Sequence, residues 1–241
     1  MSGHIVKSYD AELSEIDRTV AQMGGLCEKI LAEAFDALQR RDPKLAALVV
    51  ASDAVIDTLE RQMQERVILM IAKRQPMAND LRHVMTLLKI AGDLERIGDL
   101  AKNIAKRASA VSGESHPKPL MNGLSHMTEL AMRQLKDVLD ALGARDAETA
   151  LAVWRSDASL DALYNSVFRE LLTYMMEDPR NIGLCTHLLF GAKNIERIGD
   201  HTTNIAENVY FLVTGTVLKD DRPKGDDTSL AQIRLPVAGN S

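Results

Sequence analysis

The sequence predicts an all-α fold: two tandem, pseudo-symmetric three-helix bundles. Three observations predict it. Apolar residues recur at intervals of three and four almost throughout. Aromatic residues are only 4% of the chain, and Leu, Ala, Met and Ile are plentiful, which favours helix over strand. The chain also repeats itself. "GDLERIGDLAKNIA" begins at Gly92 and "AKNIERIGDHTTNIA" at Ala192, so Glu-Arg-Ile-Gly-Asp occurs twice and "NIA" follows each copy at the same spacing.

The elements follow in order. Leu13, Ile16, Val20, Met23, Cys27, Ile30, Leu31, Ala34 and Leu38 form one helical stripe, so the first helix spans about 8 to 40. "RRDPKL" stops and restarts the chain, with Asp42 as N-cap and Pro43 at the first helical position. The second helix runs to about 73, where "KRQPMAND" breaks it at Pro76, and the third covers about 78 to 110. "VSGESHPKP" reads as a linker. A fourth helix covers about 119 to 143, a fifth runs from the Asp146 cap to about 176, and a sixth ends near Gly215. The expected organisation is a first repeat over 8–111, a linker over 112–118, a second repeat over 119–215 and a polar, disordered tail over 216–241. The repeat is traceable in detail. Arg41, Asp42, Asp53 and Asp57 match Arg145, Asp146, Asp157 and Asp161, and Glu95, Asp99 and Asn103 match Glu196, Asp200 and Asn204.

Composition narrows the function. The chain has 241 residues, is 46% apolar and 26% charged, and carries a net charge of −5. This is a globular composition whose sign argues against nucleic acid as a partner. Cys27 and Cys185 form neither a metal-ligand pattern nor a disulfide framework. The first residues lack an apolar stretch of signal-peptide length, and the longest apolar run, Val67 to Ala72, is far too short to span a membrane. A cytoplasmic address is expected.

The acids carry the chemistry. Carboxylates four apart on a helix share a face. Asp53 lies about as far before the end of the second helix as Asp99 lies after the start of the third, and Asp57 and Glu95 are likewise matched. In an antiparallel pair Asp53, Asp57, Glu95 and Asp99 therefore converge. The same count brings Asp157, Asp161, Glu196 and Asp200 together. Four anions in one patch require protonation, Arg or Lys pairing, or a cation. Arg96 and Arg197 point away on an ideal helix, and no basic residue stands at the intervening same-face positions, so a metal is expected. An all-oxygen set suits Mg²⁺, Mn²⁺, Ca²⁺ or iron, with Zn²⁺ also a candidate. Glu33 and Asp36, repeated as Asp137 and Asp140, are possible further ligands or an exposed helix face. Gly98 and Gly199 suggest close helix approach. The second set is expected to be the weaker, because Tyr164 stands where the first repeat has Glu60. His201 is not assigned.

With its two "ERIGD" motifs and the paired Asp-x-x-x-Asp motifs at Asp53 and Asp157, the sequence resembles the PhoU family of bacterial phosphate-signalling proteins over about 8 to 216. The resemblance implies a PhoU-like fold and a regulator, not an enzyme. It implies repression of the phosphate-starvation response, metal bound at the acidic motifs, and partners in the ATPase subunit of a phosphate ABC transporter and a sensor histidine kinase. A homodimer is expected, with membrane contact only through partners. The alternatives are a di-metal carboxylate bundle enzyme, for which no Glu-x-x-His pair is found, and a purely structural helical adaptor.

Overall fold

The computed structural model describes the backbone of residues 2–111 and 118–218, and side chains within 10–111 and 121–218. The linker over 112–118 thus lies almost wholly outside the described residues, as does the expected tail from 219 onward. Seven α-helices are described: α1 Ser2–Arg40, α2 Pro43–Arg74, α3 Asn79–Ala110, α4 Lys118–Ala144, α5 Ala147–Arg155, α6 Asp157–Glu177 and α7 Ile182–Thr214, with a short 3₁₀ turn at Pro179–Asn181 before α7. Helices α1 to α3 form the first bundle, and α4, α5–α6 and α7 the second.

The predicted caps are in place. Asp42 accepts from the amides of Lys44 and Leu45 at 2.9 and 3.1 Å, and Asp146 accepts from Glu148 and Thr149 at 2.9 and 3.2 Å. Each satisfies amides that the first helical turn leaves without a partner. Arg41 and Arg145, just before these caps, both adopt positive φ, 58° and 55°. The repeat therefore extends to a backbone conformation that disfavours side chains. Gly215 ends α7 at φ 75°, the left-handed position where glycine carries no penalty.

The expected fifth helix is two helices. At Ser156 the amide is shared between the carbonyls of Ala152 and Val153. Gln134 of α4 donates to the Ser156 carbonyl at 3.1 Å and to its Oγ at 2.8 Å. The same carbonyl also accepts the Ser159 amide, only three residues on, at 3.1 Å, so the regular ladder breaks there. In the first repeat Ile30 occupies the Gln134 position and the matching Ser52 bonds back to Leu48, so α2 runs on unbroken.

One apolar core runs through both repeats. Its spine is the antiparallel pair α3–α7, where Arg82 lies 5.9 Å from the Phe211 ring centre and Arg107 5.4 Å from that of Phe190. Cys27 is buried in this core and donates to the Leu94 carbonyl at 3.1 Å. Burial holds its thiol pKa well above the ordinary value, so it packs as a small apolar group. Among the described residues, no helix is long and apolar enough to cross a membrane.

Candidate metal centres

Antiparallel packing of α2 on α3 brings Asp53, Asp57, Glu95 and Asp99 together, as the register count requires. The charges of Asp57 and Asp99 act on Asp53, and those of Asp99, Asp57 and Glu60 act on Glu95. Glu60 therefore belongs to this set. Its place on the Asp53–Asp57 face, seven residues after Asp53, was the available signal. Burial raises the pKa of both Asp53 and Glu95, opposed by Lys102 at Asp53 and by Arg96 at Glu95.

The expectation that these acids find no basic partner is corrected. Lys102 Nζ donates to Asp53 Oδ2 and to Asp99 Oδ1, both at 2.5 Å. Partial burial works against this ammonium, but the hydrogen bonds and charges of the two carboxylates outweigh it and hold its pKa above the usual lysine value. Lys102 lies one helical turn beyond Asp99, so helical spacing alone signals that it reaches the set. Arg96 is corrected as well. It does not point away, because its flexible side chain swings back to lie 3.3 Å from Glu95 and 3.4 Å from Asp99.

In the second repeat α6 and α7 hold Asp157, Asp161, Glu196 and Asp200. The charges of Asp200 and Asp161 act on Glu196, whose pKa burial raises against the pull of Lys193. Thr203 Oγ1 donates to Asp157 Oδ1 at 3.0 Å. Lys193 donates to Glu196 Oε1 at 3.0 Å and lies 4.9 Å from the centre of the Tyr164 ring. This set is the more buried of the two. Asp157, Asp161 and Glu196 are all enclosed, against Asp53 alone in the first. Tyr164, itself buried, stands where the first set has Glu60.

Two buried carboxylate oxygens have no hydrogen-bond partner among the described residues, Asp53 Oδ1 and Glu196 Oε2. A methyl group added at Gly98 would lie 3.2 Å from that Asp53 oxygen and 3.1 Å from Ile56 Cδ1, so the glycine makes the close approach expected of it. Gly199 faces Leu160 in the same way. Orphaned carboxylate oxygens within an all-oxygen set fit a hard cation in chemical kind. In the geometry present, however, no three His, Cys, Asp or Glu side chains among the described residues stand close enough to share an ion.

The other candidates sit elsewhere. Asp36 pairs with Arg40 at 2.6 Å and Glu33 with Lys29 at 3.9 Å, while Asp140 pairs with Lys136. They follow the exposed-face reading. His201 is the residue that sequence reasoning left out. Its Nδ1 lies 2.9 Å from Asp93 Oδ1, and Asn204 donates to the same oxygen at 3.2 Å.

Fold and site together define a class: a tandem three-helix-bundle protein with one acidic cluster between helices of each repeat. The chain belongs to the PhoU family, whose domain model matches residues 20–108 and 124–209. It is 54% identical over 226 residues to the phosphate-specific transport system accessory protein PhoU homolog of Rhizobium meliloti (strain 1021), covering 94% of this chain and 95% of that protein. The corresponding Caulobacter vibrioides protein is 50% identical, covering 94% and 98%. The crystal structure of PhoU from Pseudomonas aeruginosa superposes with a TM-score of 0.84 at 39% identity, covering 86% of this chain and all (100%) of that one. The phosphate transport system regulatory protein PhoU from Streptococcus pneumoniae gives 0.80 at 26%, covering 88% and 99%.

Proposed function

We propose that this protein is a metal-binding accessory regulator of phosphate uptake that represses the phosphate-starvation response. It couples the ATPase subunit of a phosphate ABC transporter to a sensor histidine kinase, and it reaches the membrane only through them. Family membership and the names of the relatives support the phosphate assignment. The observation that carries the metal assignment is the pair of buried, unpartnered carboxylate oxygens, one within each acidic set. Charge concentrated between helices makes the packing of each bundle depend on what neutralises it. A bound cation would hold α2 to α3 and α6 to α7 in one register, and partners would read that register as a conformational preference. Contacts with partners, and pairing as a homodimer in the cytoplasm, draw on exposed apolar side chains such as Leu48, Val55 and Ile68 on α2 and Phe190 on α7.

The test is deletion in the source bacterium with a phosphate-starvation reporter read in high phosphate. Derepression restored to normal by the wild type, but not by Glu196→Gln with Asp200→Asn, supports the account. A reporter that stays repressed without the protein contradicts it.

A further inference from the structure

We infer, building on the partner-binding role proposed above, that the groove between the start of α3 and the end of α7 docks an acidic amphipathic helix of a partner protein. The groove has a volume of about 320 Å³. It is lined by Leu81, Arg82, Met85 and Lys89 of α3, with the buried Thr86 among them, and by Phe211 of α7.

No lining residue is acidic, although the chain carries 34 acids against 29 bases. Arg82 donates to the neutral Asn79 Oδ1 at 3.0 Å and lies over the Phe211 ring, which holds it in place. Lys89 is exposed, and the acid one turn past it, Asp93, is engaged by His201 and Asn204. Neither Arg82 nor Lys89 has an ion pair among the described residues. The groove therefore presents two positive charges that a carboxylate from outside can meet. An apolar edge runs beside them. Leu81 and Met85 are 38% and 40% exposed, and Met77, in the turn before α3, is 80% exposed. The three follow at intervals of four, and the flexible thioethers can adapt to a partner's side chains.

The fold does not require this set of residues. The offset that relates Glu95 to Glu196 carries Leu81, Arg82, Met85 and Lys89 onto Ile182, Gly183, Thr186 and Phe190. The second repeat thus builds the equivalent helix with neither cation. Spacing defines the occupant. Arg82 and Lys89 are seven residues apart, so they stand two turns apart, about 10.5 Å along the axis of α3. A helix lying in the groove meets them with two carboxylates at the same spacing. Apolar residues between those acids, at the third and fourth positions, then pack against Leu81, Met85 and Phe211. A cleft between two helices receives such a rod better than it receives the flat face of a bilayer.

The test is photo-cross-linking of the full chain with benzoylphenylalanine in place of Met85. The probes are the source bacterium's purified phosphate-transporter ATPase subunit and, separately, the cytoplasmic part of its sensor kinase. Vesicles of phosphatidylcholine and phosphatidylglycerol are present throughout, and mass spectrometry locates each cross-link. At least one partner should be captured on a helical segment that carries two Asp or Glu residues two turns apart. Lys89→Glu should weaken binding of that partner about tenfold, the scale of reversing a unit charge near the protein surface. Changing the mapped acid to Lys should restore it. Lys89→Gln should give a smaller loss in the same direction, and provides a second variant should the first fold poorly. Benzoylphenylalanine at Thr186, the equivalent position of the second repeat, should not capture that segment. Cross-links confined to lipid, to a second copy of the chain, to residues 219–241 or to a segment without acids would overturn the docking site and leave partner binding standing. So would an affinity unchanged by both Lys89 substitutions. Absence of binding between the wild type and either partner would overturn the partner reading itself, and the inference with it.

Discussion

His201 of the second repeat and Asp93 of the first are joined across the α3–α7 seam, Nδ1 to Oδ1 at 2.9 Å. Asn204 shares the same acceptor. Both groups are largely shielded, with 20% and 15% of their side chains exposed, so the contact is not a solvent-screened surface pair. A double-mutant cycle on His201→Ala and Asp93→Ala, read by urea denaturation, should give a coupling of about 1 kcal/mol. A coupling indistinguishable from zero would mean that this contact adds nothing to the seam.

The glycines on α3 and α7 make opposite predictions according to their surroundings. Gly199→Ala drives a methyl group into Leu160 in the core, and should destabilise by about 1–3 kcal/mol. Gly92→Ala meets nothing within 4 Å, and should stabilise by up to about 1 kcal/mol through helix propensity. Paired urea titrations check both signs. Equal effects would show that backbone preference, not space, governs the pair.

Acid should stabilise the metal-free protein over part of its range. Burial raises the folded-state pKa of Asp53, Glu95 and Glu196 above ordinary carboxylate values. Between the raised and the ordinary values the folded chain binds more protons than the unfolded one, so stability rises as pH falls. The contribution is complete below the unfolded pKa and lost as pH rises through the folded one. Glu196→Gln should therefore raise Tm near neutrality, and its advantage should shrink as pH falls toward the ordinary carboxylate range. An advantage independent of pH would assign the effect to packing.

Most of the fold was legible because it is written in local terms. The stripe from Leu13 to Leu38 and the caps at Asp42 and Asp146 depend on neighbours within a turn or two. The convergence of the acids was legible too, because a short turn fixes the register of two antiparallel helices. What was hidden depends on side chains arriving from elsewhere. The break at Ser156 needs Gln134 from another helix, and nothing near Ser156 announces it. The partner of His201 lies 108 residues away on α3. Lys102 is different. It lies within reach of helical spacing, one turn past Asp99. Its long stem reaches across to Asp53 on α2.

The central claim is that the acidic sets are cation sites, and anomalous diffraction tests it most directly. Crystals of the stripped protein soaked in Mn²⁺ and measured at the manganese edge should show a peak bounded by Asp157, Asp161, Glu196 and Asp200. A second peak is expected at the first set, beside Asp53 and Asp99. Strong peaks confined to exposed carboxylates such as Asp36 and Asp140, with none at either set, would contradict the account.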